Sequence, residues 1–189
     1  MLNSIYPIID LKRDQELNVE YASRVLKLYP EFLQIRMKES GVNEIVSVTR
    51  ELLTLRDLIS SGTQIIVNDS IEAAVFSGSD GVHVGQEDDI SLAMEHKSLK
   101  FKVGFSTHTL EEVINANRID IDYIGFGPVF KTDTKKQSYS EVFEIVGETV
   151  RISKHRIVFI GGINKRNIES LPSGNNIMYA MISSVSEFF

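Results

Sequence analysis

Eight strand patterns alternating with helix patterns predict an α/β chain folded as one compact (β/α)8 TIM barrel domain over residues 1–189, with a truncated last helix. Three observations carry this. The alternation is regular from end to end, which implies a parallel sheet. Several strand patterns are apolar on both faces, as in parallel sheets covered by helices. The stretch at 122–135, DYIGFGPVFKTDTK, reads as a strand that opens into a polar loop. Its β-formers Tyr123, Ile124, Phe126, Val129 and Phe130 are interrupted by Gly125 and Gly127, and Pro128 then stops ladder pairing. The runner-up is an open doubly wound sheet, but no G-x-G-x-x-G follows the first strand.

The elements run as follows. Residues 4–10 (SIYPIID) form a short apolar strand ending in a carboxylate. Val19, Ala22, Val25 and Leu26 have helical spacing within 18–28. Residues 31–38 alternate, with Phe32, Gln34, Arg36 and Lys38 on one face and Leu33, Ile35 and Met37 on the other. A long helix covers 42–60, with Gly62 as its closing glycine. QIIVND at 64–69 is a continuous apolar strand, followed by a short helix at 71–77. GVHVG at 81–85 is a strand, followed by an acidic turn and a helix at 90–96. FKVGFS at 101–106 precedes a helix at 109–117, and the opening stretch comes next. A helix at 141–152, a strand at 156–162 ending in paired glycines, a short helix at 164–171 and a strand at 176–183 complete the series. The chain is shorter than the roughly 200 residues usual for a barrel, so its loops must be tight.

Composition narrows the function classes. Hydrophobic content of 42% and charged content of 24% are ordinary globular values. The net charge of -6 argues against a broad nucleic-acid footprint, though not against a local basic pocket. There is no cysteine, which excludes disulfides, thiolate catalysis and Cys-ligated metals, and fits a reducing, cytoplasmic setting. No signal peptide opens the sequence, and no apolar run nears the roughly 18 residues needed to cross a bilayer.

A parallel barrel carries its chemistry at the C-terminal ends of its strands. Those ends hold Gln34, Arg36 and Lys38; Asn68 and Asp69; Gln86, Glu87 and Asp88; Ser106 and His108; Thr132, Asp133, Thr134 and Lys135; Gly161 and Gly162; and Ile182 and Ser183. Cations, hydroxyls and glycine-rich turns are the chemistry of phosphate binding. Asp69 and Asp88 lie on neighbouring strand ends, and one or two carboxylates plus substrate phosphates are the usual way to hold Mg2+. Taken singly, a carboxylate just before a helix is more often a cap. His83, with no second ligand at metal spacing, is expected to face the core or a helix.

At these residues the chain resembles thiamine-phosphate synthase, a family that includes the related thiazole tautomerases. The motifs are QIRMK at 34–38, ND at 68–69, GVHVGQED at 81–88, GFSTH at 104–108, YIGFGPVFKTDTK at 123–135, IGGI at 160–163 and IS at 182–183. The resemblance implies a Mg2+-dependent transferase of thiamine biosynthesis. It joins a pyrimidine methyl diphosphate to a thiazole phosphate, giving thiamine phosphate and pyrophosphate. Carried over by motif, Gln34, Ile35, Arg36, Met37, Lys38, Asn68, Ser106 and Lys135 would hold the pyrimidine diphosphate. Asp69 and Asp88 would hold Mg2+. Thr132, Asp133, Thr134, Gly162, Ile182 and Ser183 would line the thiazole phosphate site. The resemblance further implies that the C–O bond breaks first, so no acid–base residue is assigned; Arg36, Ser106 and Lys135 would stabilise the leaving group. It implies small-molecule partners and a homo-oligomer, with no nucleic acid or membrane.

One stretch departs from the family pattern. Asn175 and Met178 stand where glycine is expected, and Met178 is expected to crowd the start of strand eight and its phosphate cup. Two alternatives follow. One is a metal-independent thiazole tautomerase with His108 as the acid–base group. The other is a relative that binds a phosphate ligand without turnover.

Overall fold

The computed structural model describes residues 4–130 and 139–189. Eight parallel strands pair in sequence order and close into a barrel. They are β1 (Ile5–Asp10), β2 (Phe32–Arg36), β3 (Gln64–Asn68), β4 (Gly81–Val84), β5 (Lys102–Thr107), β6 (Tyr123–Phe126), β7 (Arg156–Ile160) and β8 (Ile177–Met181). The helices are α1 (Val19–Leu26), α2 (Val42–Leu58), α3 (Ile71–Ser77), α4 (Ile90–His96), α5 (Leu110–Ala116) and α6 (Tyr139–Ile152). Closure comes from β8 lying beside β1, with Ile5 opposite Tyr179 and Pro7 opposite Met181. After β7 and β8 there are only 3-10 turns, at Ile168–Ser170 and Ser183–Phe188. The helix expected at 164–171 is therefore a single tight turn. The Phe189 ring lies 5.7 Å from that of Tyr21 in an edge-on contact.

Period two along each strand sorts the core into two shells. The outer shell lies between sheet and helices and includes Leu33, Ile35, Ile65, Val67, Val82, Val103, Ile124, Ile157 and Phe159. The inner shell fills the barrel with Tyr6, Ile8, Phe32, Ile66, Tyr123, Val158, Met178 and Ala180. Burying such side chains is worth about 1.5–3 kcal/mol each, so the alternation fixes the register firmly. Three close approaches require glycine. A Cβ at Gly81 would sit 2.3 Å from the Lys102 carbonyl oxygen. One at Gly104 would sit 2.1 Å from Cζ of Tyr123, and one at Gly127 2.2 Å from the Ile160 carbonyl oxygen.

Two local expectations are corrected. Gly62 does not close α2; the left-handed residue is Ser60, at φ 55. The Ser61 amide donates to the Arg56 carbonyl and the Ser60 amide to that of Asp57, the paired bonds of a Schellman end. Serine pays steric strain in that conformation, and Ser60 is exposed. Ser60→Gly is expected to stabilise the chain by about 0.5–1 kcal/mol, read as a higher urea midpoint at unchanged slope. Likewise the strand pattern through Phe130 is interrupted, because β6 ends at Phe126 before a cis Gly127–Pro128 bond. Pairing then resumes outside the strand: Val129 N–H donates to the Ile160 carbonyl and Phe130 N–H to that of Gly161.

Met178 lies far from where it was expected to matter. It is 2% exposed in the inner shell, opposite Val158, and its sulfur is 3.6 Å from a guanidinium nitrogen of Arg156. Arg156 opens β7, spans the Phe32 ring at 5.6 Å and pairs with Glu31. Met178 thus belongs to the plug at the N-terminal end of the barrel, while Ile182 and Ser183 lie beyond Met181 at the other end. A period-two strand carries the side chain at the start of β8 inward, where volume is needed to fill the barrel.

Candidate active site at the barrel mouth

A cavity of about 900 Å3 opens at the C-terminal ends of the strands. Its wall is divided. Ile8, Val158, Ile160, Ala180 and Ile182 make an apolar side from β1, β7 and β8, while polar groups from β2 to β6 make the other. The structure brings Gln34, Arg36, Lys38, Asn68, Asp69, Asp88, Ser106 and Ile182 to this one cavity. It does not bring Ile35 and Met37 there. Both are buried among outer-shell residues, because period two turns them away from the barrel axis. Met37 does border a smaller hollow beside Lys38 and Asp69. Gly162 and Ser183 are not on the cavity wall. Gly162 is held at φ 62 against Phe130, where a Cβ would meet the Phe130 carbonyl oxygen at 2.9 Å. Thr132, Asp133, Thr134 and Lys135 lie outside the described residues.

Neither carboxylate expected to hold metal acts as a helix cap. In each case the next residue caps instead: the Ser70 hydroxyl accepts from Ala73 N–H, and Asp89 accepts from Ser91 and Leu92 N–H. Asp69 takes a left-handed conformation, φ 61, at the end of β3. Strain of this kind on a non-glycine residue persists where surroundings impose it, and it clusters at functional sites. Asp88 Oδ2 accepts from Gly85 N–H at 2.6 Å, which closes the turn after β4. Burial, then the charge of Asp88, hold the Asp69 carboxyl above its usual range, against the pull of Lys38 and Arg36. Two carboxylates that disfavour each other's charge suit a hard divalent cation. Among the described residues no cluster of three or more His, Asp, Glu or Cys forms around them. The remaining ligands would be substrate phosphate oxygens and water, which is the usual Mg2+ arrangement.

Arg36 is tethered: its Nη1 donates to Asp10 Oδ1 at 2.6 Å. Asp10 and Arg36 are opposed in the β1–β2 register, so the strand-one carboxylate orients the strand-two cation. Gln86 Nε2 donates to the Ser106 carbonyl, fastening the β4 turn to the end of β5. His108 Nδ1 lies 2.7 Å from the Gly127 carbonyl oxygen and so donates its hydrogen to it. The Glu112 carboxylate accepts from His108 N–H and completes a capping box with Thr109 at the start of α5.

Sequence reasoning missed the residues beneath the mouth. His83 faces into the barrel on β4, against Tyr123 of the inner core rather than toward a helix. Its Nε2 is 2.9 Å from Ser106 Oγ and its Nδ1 3.2 Å from Tyr123 Oη. Tyr123 is stacked with His83 at 5.5 Å, and its hydroxyl is 2.7 Å from that of Tyr6. Gln34 Nε2 donates to Tyr6 Oη at 3.1 Å. The one available signal was the glycine spacing on β5 and β6, which leaves room for large side chains across the barrel. Burial pushes the His83 imidazole down to about 4. Its folded pKa therefore lies below its unfolded value near 6.5. The unfolded chain takes up the proton first, so stability falls as pH drops from about 6.5 toward 4. A full shift of this kind is worth roughly 3 kcal/mol. Denaturant midpoints across that window are expected to fall more steeply for the wild type than for His83→Gln.

A closed parallel barrel whose mouth joins cations, a carboxylate pair and a serine hydroxyl to an apolar wall is an enzyme-like site for a small molecule. The comparisons with known proteins agree. The sequence model of the thiamine monophosphate synthase family matches residues 5–185, and the chain belongs to that family. A thiamine-phosphate synthase of Dictyoglomus turgidum is 32% identical over 171 residues, covering 89% of this chain and 75% of the relative. One from Persephonella marina is 40% identical over 121 residues, covering 64% of this chain but only 58% of the relative. Among solved structures, a thiamine phosphate pyrophosphorylase from Pyrococcus furiosus superposes with a TM-score of 0.75 at 26% identity, covering 98% of this chain and 92% of that one.

Proposed function

We propose that the chain is a thiamine-phosphate synthase that joins the pyrimidine methyl diphosphate to thiazole phosphate and releases pyrophosphate. The observation that carries this reading is the carboxylate pair freed from capping, Asp69 and Asp88, set in the same cavity as Arg36, Lys38 and Ser106. A thiazole tautomerase would leave that pair, and the cations opposite, without a task.

In this reading Arg36, Lys38 and Ser106 bind the diphosphate, and Asn68 donates its side-chain amide to it. Lys135 joins them from the loop after β6. Asp69 and Asp88 would hold Mg2+, which when bound would supply charge stabilisation to the diphosphate. The apolar wall at Ile8, Val158 and Ile160 takes a ring face and excludes water from the reacting carbon. Thr132, Asp133, Thr134, Gly162, Ile182 and Ser183 place the thiazole phosphate so that its ring nitrogen meets that carbon; fixing two reactants in this way replaces an encounter with a unimolecular step. No general base is required, because the nucleophile is a ring nitrogen with no proton to lose. We propose further that the chain forms one domain, acts in the cytoplasm and associates with copies of itself. The absence of cysteine supports the compartment, and among the described residues no helix is long and apolar enough to cross a membrane.

The test is to mix the purified protein with both substrates and Mg2+ and to follow thiamine phosphate by the fluorescence of its oxidised form. Product that disappears with EDTA and returns with excess Mg2+ is expected. Product formed at an undiminished rate in EDTA would overturn the metal assignment.

A further inference from the structure

We infer that Tyr6, Tyr123 and His83 form a one-way hydrogen-bond chain that fixes the Ser106 hydroxyl as a donor into the mouth, which makes Tyr123 and His83 positioning residues for the leaving group. The inference rests on the proposed contact between Ser106 and the diphosphate.

The direction of the chain follows from donor counting. The amide nitrogen of Gln34 has hydrogens and no lone pair to offer, so Tyr6 Oη accepts from it. The Tyr6 hydrogen is then free for Tyr123 Oη, its neighbour at 2.7 Å. The Tyr123 hydrogen goes on to His83 Nδ1. That nitrogen must be bare to accept it, so the imidazole hydrogen is on Nε2 and points at Ser106 Oγ. Serine, once it accepts from inside the barrel, keeps its own hydrogen for whatever occupies the mouth. Reversing the Tyr6–Tyr123 link would leave the Tyr6 hydrogen buried without an acceptor.

The surroundings hold each member in the required state. Tyr6 and Tyr123 are each 1% exposed, and burial pushes both phenols up, so neither ionises. The space is also provided for. Tyr123 crosses above Gly104, and a Cβ at Gly125 would sit 3.0 Å from Cε1 of His83. The chain runs through β2, β1, β6, β4 and β5, so it ties Gln34 and Ser106 together across the barrel. Aligned hydrogen bonds polarise one another, which strengthens the terminal donor. A donor set in place beforehand costs no reorganisation when charge develops on the leaving oxygen.

The experiment uses the full chain labelled with 15N-histidine. Ring-nitrogen shifts of wild-type His83 near neutral pH are expected to report the Nε2–H tautomer, and Tyr123→Phe is expected to produce a mixture of tautomers. In steady state Tyr123→Phe should lower kcat about 10–100-fold, the range for groups that orient a site's direct contacts, with little change in KM. His83→Gln, whose amide N–H reaches Ser106, should retain most of the activity. His83→Phe should approach Ser106→Ala, for which a loss of about 10²–10³-fold is expected. An Nδ1–H tautomer in the wild type would overturn the chain's direction. Unchanged kcat in Tyr123→Phe would overturn its role. Failure of the wild type to make thiamine phosphate is a separate outcome: it removes the proposed function and the positioning role with it, while the tautomer still reports the direction of the chain.

Discussion

Asp88→Asn is expected to lower turnover by about 10²–10³-fold while leaving folding stability within about 0.5 kcal/mol of wild type. The substitution separates two tasks of one side chain. Asparagine keeps a carbonyl oxygen for Gly85 N–H, so the turn after β4 survives. What it loses is the negative charge that sits beside Asp69. With that charge gone, the electrostatic push on Asp69 is relieved and its carboxyl should titrate closer to the ordinary range. Mg2+ affinity, followed by titrating activity against the metal, should weaken together with kcat. Asp88→Ala would confound the two tasks by opening the turn as well. Turnover in Asp88→Asn that matches wild type at limiting Mg2+ would contradict the metal site.

Gly104→Ala is expected to destabilise the fold by about 3 kcal/mol or more, at the upper end for overpacking of a core. The added methyl would lie within 2.5 Å of three side-chain atoms of Tyr123, two ring carbons and the hydroxyl oxygen, on a side chain 1% exposed and hydrogen-bonded at its far end. The ring cannot withdraw without breaking its bonds to Tyr6 and His83. The same change at Gly147 is a control of opposite sign. It lies within α6 with nothing near its would-be Cβ, so alanine there should stabilise by about 0.5–1 kcal/mol. Urea unfolding of the two variants beside wild type gives both differences from one experiment.

The barrel was legible because its evidence is periodic. Short apolar runs, some alternating and some continuous, marked the strands, and the boundaries at Ile71–Ser77 and Ile90–His96 are those the spacing predicts. What was not legible depends on the third dimension. Gly62 looked like a helix end, yet the tight turn came two residues earlier at Ser60, where the Ser60 and Ser61 amides close the last turn of α2. Met178 looked like an obstacle near the phosphate cup, since sequence distance to Ser183 is short. The strand in between carries the two to opposite ends of the barrel. The rim residues Gln34, Arg36, Lys38, Asn68, Asp69, Asp88 and Ser106 were legible because strand ends in such a fold converge. Asp10 as the tether of Arg36, and His83 with its tyrosines, were not. Their partners lie on other strands, from 23 residues apart for His83 and Ser106 to 117 for Tyr6 and Tyr123. No local pattern encodes such pairings.

The central claim is that one mouth ionises a diphosphate and delivers its carbon to a thiazole phosphate. The measurement that tests it most directly is product stoichiometry. The wild-type chain, given both substrates and Mg2+, is expected to release pyrophosphate and thiamine phosphate in equal amounts, with neither formed when Mg2+ is chelated. Pyrophosphate released without thiamine phosphate, or an isomerised thiazole phosphate as the only product, would contradict the account.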